Sequence, residues 1–211
     1  MRTRVGSLLS ALACLALMGC SSSTEKKAEE AGPKHAPDVF RVDLDTSKGA
    51  VVLEIHRDWA PIGVDQFYSL VKSGFFDDAR FFRVVRNFVV QFGINGNPQT
   101  NQVWANVGLP DDPVKESNVK GTLTFATAGP NTRSTQLFIN LRDNRGLDGK
   151  GFAPIGRVVS GMDVVESFYS GYGDMPPSGE GPDPSMAQRM GNAYFESRFP
   201  RLDYIKKAVV E

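Results

Sequence analysis

The chain has 211 residues, 41% hydrophobic and 23% charged, which is the composition of a soluble domain with its own core rather than of a disordered protein. Its 24 basic and 24 acidic residues balance, so the basic excess that is typical of nucleic-acid-binding proteins is lacking and we expect no nucleic-acid partner. The two cysteines, Cys14 and Cys20, both lie near the start, which excludes a disulfide framework and a cysteine nucleophile from the rest of the sequence.

The start of the chain has the layout of an export signal. Arg2 and Arg4 precede an apolar run of fourteen residues, 5–18, and a glycine and Cys20 follow. Such a run is too short to be comfortable as a permanent membrane-spanning helix. The ending LMGC resembles a bacterial lipobox, in which the cysteine is acylated and becomes the first mature residue. We therefore predict a signal peptide at 1–19 and lipidation at Cys20, with a plain signal peptide cut elsewhere as the alternative.

Residues 20–37 form a polar segment without aromatic or large aliphatic side chains. Such a segment has too little apolar area to bury, so we predict a flexible linker with a reach of roughly 20–25 Å and a solvated His35. Ser21, directly after the cysteine, resembles lipoproteins that are sent on to the outer membrane. The predicted location is the bacterial cell envelope, at the outer membrane facing the periplasm, with membrane contact only through the Cys20 anchor.

From Asp38 onward the sequence alternates between apolar and polar residues, as strands do. VFRVDLDT and AVVLEIH, at 39–46 and 50–56, flank a Ser-Lys-Gly turn and predict a hairpin. Pro61 then opens a predicted helix, since proline is favoured in the first helical turn. Apolar residues three and four positions apart give that helix one buried stripe.

The rest of the chain predicts further short strands and two more helical segments. The strands are expected at ARFFRVV, NFVVQFG, GTLTFAT, TQLFIN, PIGRVV and finally RLDYIKKAVV. The helices are expected at GMDVVESFY and, after a loop rich in glycine and proline, at SMAQRMGNAYFESRF. Many short strands with few helices favour a mainly β fold, a closed antiparallel barrel with helical caps, because closure removes exposed strand edges.

The motifs of nucleophilic and nucleotide-dependent enzymes are absent from the sequence: it has no GxSxG elbow, no P-loop and no dinucleotide fingerprint. With two histidines and no cysteine after Cys20, neither a metal site nor a cofactor is predicted. His56 is interpreted as a surface strand residue, and Asp111 and Asp112 as solvated loop carboxylates.

The segment FFRVVRNFVVQFG, residues 81–93, places Arg83 among aromatic residues, with Gln91 after it. Taken alone, this segment is equally consistent with an active site and with ordinary strand positions. Two further runs, FATAGPNTRSTQLFIN at 125–140 and LDGKGFAPIGRVVSGMDVV at 147–165, change that balance. In their order and spacing, the three runs together resemble the cyclophilin family of peptidyl-prolyl isomerases.

The resemblance covers roughly residues 39–168 and implies the fold of that family. That fold is a closed eight-stranded antiparallel β-barrel capped by two α-helices, which would begin here near Pro61 and Met162. The domain would then comprise residues 38–211, with a C-terminal insertion of helix and loop at 171–199.

The resemblance also implies a substrate site on the outer face of the barrel. Arg83 corresponds to the catalytic arginine of the family, and Gln91 to the glutamine beside it. Apolar walls for the substrate proline, and a groove for the residues before it, are implied at seven further positions. The walls are Phe88, Val89, Phe138 and Leu147, and the groove is Ala126, Thr127 and Gln136.

This chain departs from the family pattern at three places. Val89 stands where a methionine is usual, which shortens one wall but keeps it apolar. Gly146 stands where a tryptophan that helps to bind cyclosporin is common, so we predict weak or no cyclosporin binding. A histidine common after the LDGK run is missing, and Phe152 is predicted to close the proline pocket instead.

The function that the resemblance implies is peptidyl-prolyl cis-trans isomerisation. The expected partners are proline-containing stretches of exported, unfolded or flexible polypeptides, whose folding the protein would assist. No bond is broken in this reaction, so it needs neither a nucleophile nor a cofactor. Two other functions remain open from the sequence: a module that binds proline-containing segments with little turnover and, more distantly, a lipocalin-like carrier of a small ligand.

Overall fold

The structure is a computed structural model that describes residues 35–104 and 107–211. The predicted signal peptide at 1–19, the lipidation site Cys20 and most of the predicted linker lie outside the described residues. Among the residues described, no helix has both the length and the apolarity needed to cross a membrane.

Eight strands form one antiparallel sheet that curls into a half-barrel, which confirms the mainly β fold. The order of strands across the sheet is β3-β4-β6-β5-β7-β2-β1-β8. The predicted hairpin is confirmed, with Thr46 opposite Gly49 at its turn. The strands are β1 Val39–Thr46, β2 Gly49–His56, β3 Arg83–Val85, β4 Val89–Phe92, β5 Thr122–Phe125, β6 Leu137–Asn140, β7 Pro154–Ser160 and β8 Ile205–Val210.

The closed barrel predicted from the sequence is not confirmed, because β3 and β8 are the two edges of the sheet and do not pair as strands. The chain just before each edge strand is joined by an isolated bridge between Arg80 and Tyr204. A backbone hydrogen bond from Phe81 N to Asp203 O, 2.9 Å long, supports that bridge. β3 and β8 do not pair as strands because β3 is short. With three residues it offers too few backbone groups for a ladder of hydrogen bonds on its outer edge.

The described residues contain five short α-helices and one 3-10 helix, of which α1 and α3 pack against strands of the sheet. The predicted first helix is confirmed, with its apolar stripe buried, but the helix α2 lies where the sequence pattern predicted none. The segment predicted as one helix near the C-terminus forms two, because the chain breaks at Gly191, whose φ is +60°. The helices are α1 Pro61–Lys72, α2 Pro98–Trp104, the 3-10 helix Arg145–Lys150, α3 Met162–Glu166, α4 Pro184–Met190 and α5 Asn192–Arg198.

The inner face of the sheet is filled by side chains that pack against α1. The rings of Phe67 and Phe92 both contact Phe76, at centroid distances of 5.6 and 5.5 Å. This packed interior does not favour the lipocalin-like carrier, which requires an open apolar cavity. A second, smaller cluster joins α4 and α5 to the segments that flank β3 and β4. Its buried members are Phe82, Ile94, Ala187, Phe195 and Leu202.

Asp112 is buried, with 4% of its surface exposed, so its interpretation as a solvated carboxylate is wrong. Its carboxylate accepts hydrogen bonds from the N–H groups of Ile62 and Gly63, at 3.1 and 2.8 Å. It also accepts one from Arg133 Nη1 at 3.0 Å. The free N–H groups at a helix N-terminus attract a carboxylate, and the first turn of α1 therefore draws Asp112 inside.

The described end of the predicted linker contacts α1. Ala36 is buried, and its N–H donates a hydrogen bond of 2.9 Å to Asp65 Oδ1. His35 is exposed, and its Nδ1 lies 2.9 Å from Asp65 Oδ2. Arg57 also donates to both carboxylate oxygens, at 2.8 and 2.9 Å. Asp65 thus holds residues 35 and 36 against α1.

Asp65→Asn is expected to destabilise the domain by about 2 kcal/mol at neutral pH. Burial alone would raise the pKa of Asp65, but the bonds from Arg57, Ala36 and His35 lower it to about 2. A depressed pKa stabilises the fold above the unfolded value of 3.8, and this stabilisation is lost as the pH falls towards 2. Urea unfolding at several pH values should therefore show the gap between variant and wild type closing between about pH 4 and pH 2. A constant gap would contradict the prediction, and Asp43→Asn, an exposed carboxylate on β1, is the control.

Candidate active site

The structure brings nine of the ten predicted site residues around one cavity of about 130 Å³. Pockets for drug-sized ligands are usually about 300–1,000 Å³, so this cavity suits a single small side chain. Gln136, the tenth predicted residue, lines an adjoining cavity. The nine residues in the first cavity are Arg83, Phe88, Val89, Gln91, Ala126, Thr127, Phe138, Leu147 and Phe152.

Strand register places the central side chains of the cavity in one row. Arg83 on β3 lies opposite Gln91 on β4, and Gln91 lies opposite Phe138 on β6. Directly paired residues of antiparallel strands project from the same face of a sheet. Three consecutive strands therefore present an arginine, a glutamine and a phenylalanine side by side.

A chain of polar side chains runs through this row. Arg83 Nη1 donates a 3.0 Å hydrogen bond to Gln91 Oε1, and Gln91 Nε2 donates one of the same length to Gln136 Oε1. On its other side Arg83 meets Asp174, with Nε to Oδ1 at 2.7 Å and Nη2 to Oδ2 at 3.3 Å. The guanidinium lies 5.5 Å from the centre of the Phe88 ring. Arg83 is thus held by three neighbours, two polar and one aromatic.

The ion pair favours the ionised form of Asp174. The hydrogen bond from Arg83 lowers the pKa of this carboxyl below its ordinary value, and partial burial opposes the shift without reversing it. Of the five N–H groups of the guanidinium, three donate to Asp174 and Gln91, and the other two have no acceptor among the residues that the structure describes.

The apolar walls of the cavity come from β4, β6 and the 3-10 helix. Val89 and Phe138 are buried, and the Phe138 ring meets Phe152 edge to face at 5.8 Å. The 3-10 helix is followed by Gly151, whose φ of +84° turns the chain back so that Leu147 and Phe152 face the same space. Four apolar side chains and the Phe88 ring therefore surround a pocket whose polar rim carries Arg83.

The adjoining cavity, about 300 Å³, shares Gln91, Ala126 and Thr127 with the first. The loop at 127–134 forms one edge of this cavity and is called its lip. The lip is held together by hydrogen bonds: Thr132 Oγ1 accepts from the N–H of Ala128 at 2.9 Å and bonds Thr127 Oγ1 at 2.8 Å. An extended chain with one side chain in the smaller cavity can continue into the larger one. The lining residues not predicted from the sequence are Ala128, Thr132, Ser134, Met175 and Gln188.

Two residues of the C-terminal insertion contact the first cavity or its arginine, and the sequence did not indicate either. Met175 lines both cavities, and Asp174 holds Arg83. Both lie in GYGDMPPSGEGPDP, a loop whose composition indicates only irregular structure. The loop carries three acidic residues, Asp174, Glu180 and Asp183, and no local signal distinguishes the one that faces the site.

Comparison with known proteins gives a consistent result. The family model for cyclophilin-type peptidyl-prolyl cis-trans isomerases matches residues 41–183. A probable peptidyl-prolyl cis-trans isomerase of Brucella abortus is 35% identical over 173 residues, which is 77% of this chain and 85% of that protein. A peptidyl-prolyl cis-trans isomerase of Acinetobacter baylyi is 34% identical over 145 residues, 64% of this chain and 74% of that protein.

Solved structures give the same fold. The cyclophilin AquaCyp293 from Hirschia baltica superposes with a TM-score of 0.61 at 19% identity, covering 84% of this chain and 75% of that one. A Cryptosporidium parvum cyclophilin crystallised in the presence of the dipeptide Ala-Pro superposes with a TM-score of 0.58 at 20% identity, covering 81% of this chain and 98% of that one.

Proposed function

The chain belongs to the cyclophilin-type peptidyl-prolyl cis-trans isomerases, and we propose that it rotates Xaa–Pro bonds of exported, unfolded or flexible polypeptides at the cavity beside Arg83. The observation that carries the proposal is that Arg83 lines a side-chain-sized apolar pocket while two of its guanidinium N–H groups have no acceptor among the described residues. The substrate proline would enter that pocket, and the residues before it would lie in the groove past Gln136.

The energetics of the reaction fit this arrangement. Rotation about a peptide bond has a barrier of about 18–20 kcal/mol, because planarity carries the amide resonance. Uncatalysed Xaa–Pro exchange takes tens to hundreds of seconds, so an ordinary enzyme rate requires the barrier to fall by about 4–7 kcal/mol. In the twisted amide the nitrogen lone pair is free to accept a hydrogen bond. A donor that meets this nitrogen only in the twisted state lowers the barrier.

Arg83 is suited to be that donor. Its guanidinium stays charged and presents its N–H groups in fixed geometry. Gln91, which is 4% exposed, accepts from one side of the guanidinium and restricts its rotation. The pocket around Phe138 and Phe152 grips the pyrrolidine ring while the acyl side turns, and it excludes water that would compete for the donor.

Proline-containing segments of polypeptides are the proposed clients. The groove is lined by small and neutral polar side chains such as Ala126, Thr127 and Gln136, which can bind a peptide main chain without demanding one sequence. The Cryptosporidium cyclophilin studied with Ala-Pro supports a ligand of this class. The balanced charge of the chain is consistent with the absence of a nucleic-acid partner.

Gly146 is the basis for proposing weak or no binding of cyclosporin. The family commonly has a tryptophan here that contacts the drug, and a Cβ atom at this position would meet nothing within 4 Å. The wall that such a tryptophan supplies is therefore left open beside Leu147. Small proline peptides do not need that wall, because the pocket itself encloses the ring.

We further propose that the protein is a lipoprotein of the bacterial cell envelope, anchored at Cys20 in the outer membrane and facing the periplasm. The layout of residues 1–20 supports this part of the proposal. Cells expressing the full-length chain should incorporate radiolabelled palmitate, and Cys20→Ser should abolish the label. Cys14→Ser is the matched control, since its cysteine would leave with the signal, and it should retain the label. Label that survives in Cys20→Ser would refute the anchor.

The alternative function, a binding module with little turnover, is tested by exchange spectroscopy. The full-length chain is mixed with a short Xaa–Pro peptide, and the cis-trans exchange rate and peptide affinity are measured by NMR. An enzyme accelerates exchange at substoichiometric concentration, whereas a binding module shifts the peptide signals without doing so. Arg83 in the cavity favours the enzyme, because binding a proline segment does not require an arginine at its rim.

A further inference from the structure

We propose that Asp174, on the loop between α3 and α4, is a positioning residue for Arg83. This loop would then contribute directly to the geometry of the active site. The inference rests on isomerase activity at Arg83. Asp174 would fix the guanidinium in the orientation that directs its two remaining N–H groups at the amide nitrogen of the substrate.

The geometry of the pair supports positioning rather than a loose surface contact. Asp174 accepts from Nε and Nη2, which is a side-on bidentate pair, and Gln91 accepts from Nη1 at the opposite end. The side chains of Arg83 and Asp174 are only 16% and 26% exposed. An arginine side chain has several rotatable bonds, and bidentate contact with a carboxylate fixes the plane of its guanidinium. Two acceptors from different elements of the fold therefore determine where the free N–H groups point.

The loop is shaped to hold Asp174 in place. The N–H of Gly181 donates to Asp174 O at 2.8 Å, and the N–H of Met175 donates to Asp174 Oδ1, also at 2.8 Å. A Cβ atom at Gly179 or Gly181 would lie 2.3 or 2.7 Å from Asp174 O, closer than van der Waals contact allows. Only glycines permit the chain to fold back this tightly on Asp174.

The loop is also anchored to the rest of the domain. The N–H of Tyr169 donates to Asp203 Oδ2 at 2.7 Å, next to the edge strand β8. The ring of Tyr172 packs edge to face against Phe199 at 5.0 Å. Arg86 Nε, in the turn between β3 and β4, donates to Ser170 Oγ at 2.7 Å. The loop that carries Asp174 is thus tied to the β3 side of the sheet, which carries Arg83, and to the segment before β8.

A carboxylate beside a catalytic arginine has two opposite effects. It reduces the net positive field in the pocket, which would weaken catalysis if charge alone mattered. It also fixes the direction of the N–H donors, which matters more here because the acceptor is a neutral amide nitrogen and a hydrogen bond weakens steeply as it bends. We therefore expect the loss of Asp174 to lower kcat rather than to raise it.

Asp174→Asn in the full-length chain tests this inference, because the amide keeps the size of the side chain but turns one acceptor into a donor that faces Arg83. In the Xaa–Pro exchange assay we expect kcat to fall about tenfold with KM within about twofold, since orientation acts on the twisted state. In wild type the Nε–H resonance of Arg83 should exchange slowly with water, and in the variant this protection should be lost. In an Arg83→Ala background, Asp174→Asn should have no further effect on kcat.

Asp183→Asn is the matched control in the same insertion. Asp183 caps α4 by accepting from the N–H groups of Ser185 and Met186, at 2.7 and 3.2 Å, and it makes no contact with Arg83. Asparagine caps a helix as well as aspartate does, so Asp183→Asn should change neither stability nor kcat appreciably. An unchanged or raised kcat in Asp174→Asn would overturn the inference, and so would an equal fall in both variants, which would indicate general loop disorder. A wild type no faster than Arg83→Ala would instead refute isomerase activity at Arg83, and the inference with it.

Discussion

Arg83→Ala is expected to lower kcat/KM for an Xaa–Pro peptide by about 10²–10³-fold, the usual cost of removing one preorganised donor from an active site. The effect should fall on kcat, because Arg83 meets the amide nitrogen only in the twisted state. Peptide affinity should change little, since Phe138, Phe152 and Leu147 still enclose the proline ring. Exchange NMR on the full-length variant measures both quantities in one sample.

The fold should tolerate this substitution. Asp174 loses its partner, but with 26% of its side chain exposed it can be hydrated by solvent. Arg157→Ala is a suitable control, because Arg157 is an exposed arginine on β7 that pairs with Glu54 and does not line the cavity. If Arg83→Ala accelerates exchange as much as wild type does, the proposed role of Arg83 is wrong. If both proteins bind the peptide and neither accelerates its exchange, the protein is a binding module.

Most of the candidate site could be predicted from the sequence because its residues lie in three short runs. Within a run the spacing fixes the face of the strand, and between runs the register fixes the neighbours. Arg83, Gln91 and Phe138 are adjacent because β3, β4 and β6 pair in order, an arrangement that the family resemblance implies. The strands of the sheet were predicted on the same basis, but closure of the barrel was not, because it depends on how many residues β3 contributes.

The contribution of the C-terminal insertion could not be predicted in this way. Asp174 is 91 residues from Arg83 in the chain, and it lies in a loop without periodicity. Its contact depends on glycine turns and on an aromatic cluster elsewhere in the insertion, and local pattern determines neither. The helix α2 is a different case, since Asn97 and Pro98 are a recognisable start: Asn97 Oδ1 accepts from the N–H of Gln99 at 2.9 Å.

The buried pair of Arg133 and Asp112 connects the lip of the groove to the first turn of α1. Arg133 is 1% exposed and Asp112 4%, with Nη1 and Oδ2 3.0 Å apart. The Arg133 guanidinium also bonds the carbonyl oxygen of Pro110. Removing one partner of a buried ion pair leaves the other charge in the interior without compensation, which usually costs about 3–5 kcal/mol.

Arg133→Ala is therefore expected to destabilise the domain by about 3 kcal/mol, near the lower end of that range, because the N–H groups of Ile62 and Gly63 still bond Asp112. Urea unfolding of the full-length chain measures the change, and Arg157→Ala, which breaks an exposed pair, should cost less than about 1 kcal/mol. Arg133→Met combined with Asp112→Asn should recover part of the loss, since no unpaired charge then remains buried. A cost in Arg133→Ala no larger than that of the exposed control would mean that water reaches Asp112, and the pair would then not be the link that holds the lip to α1.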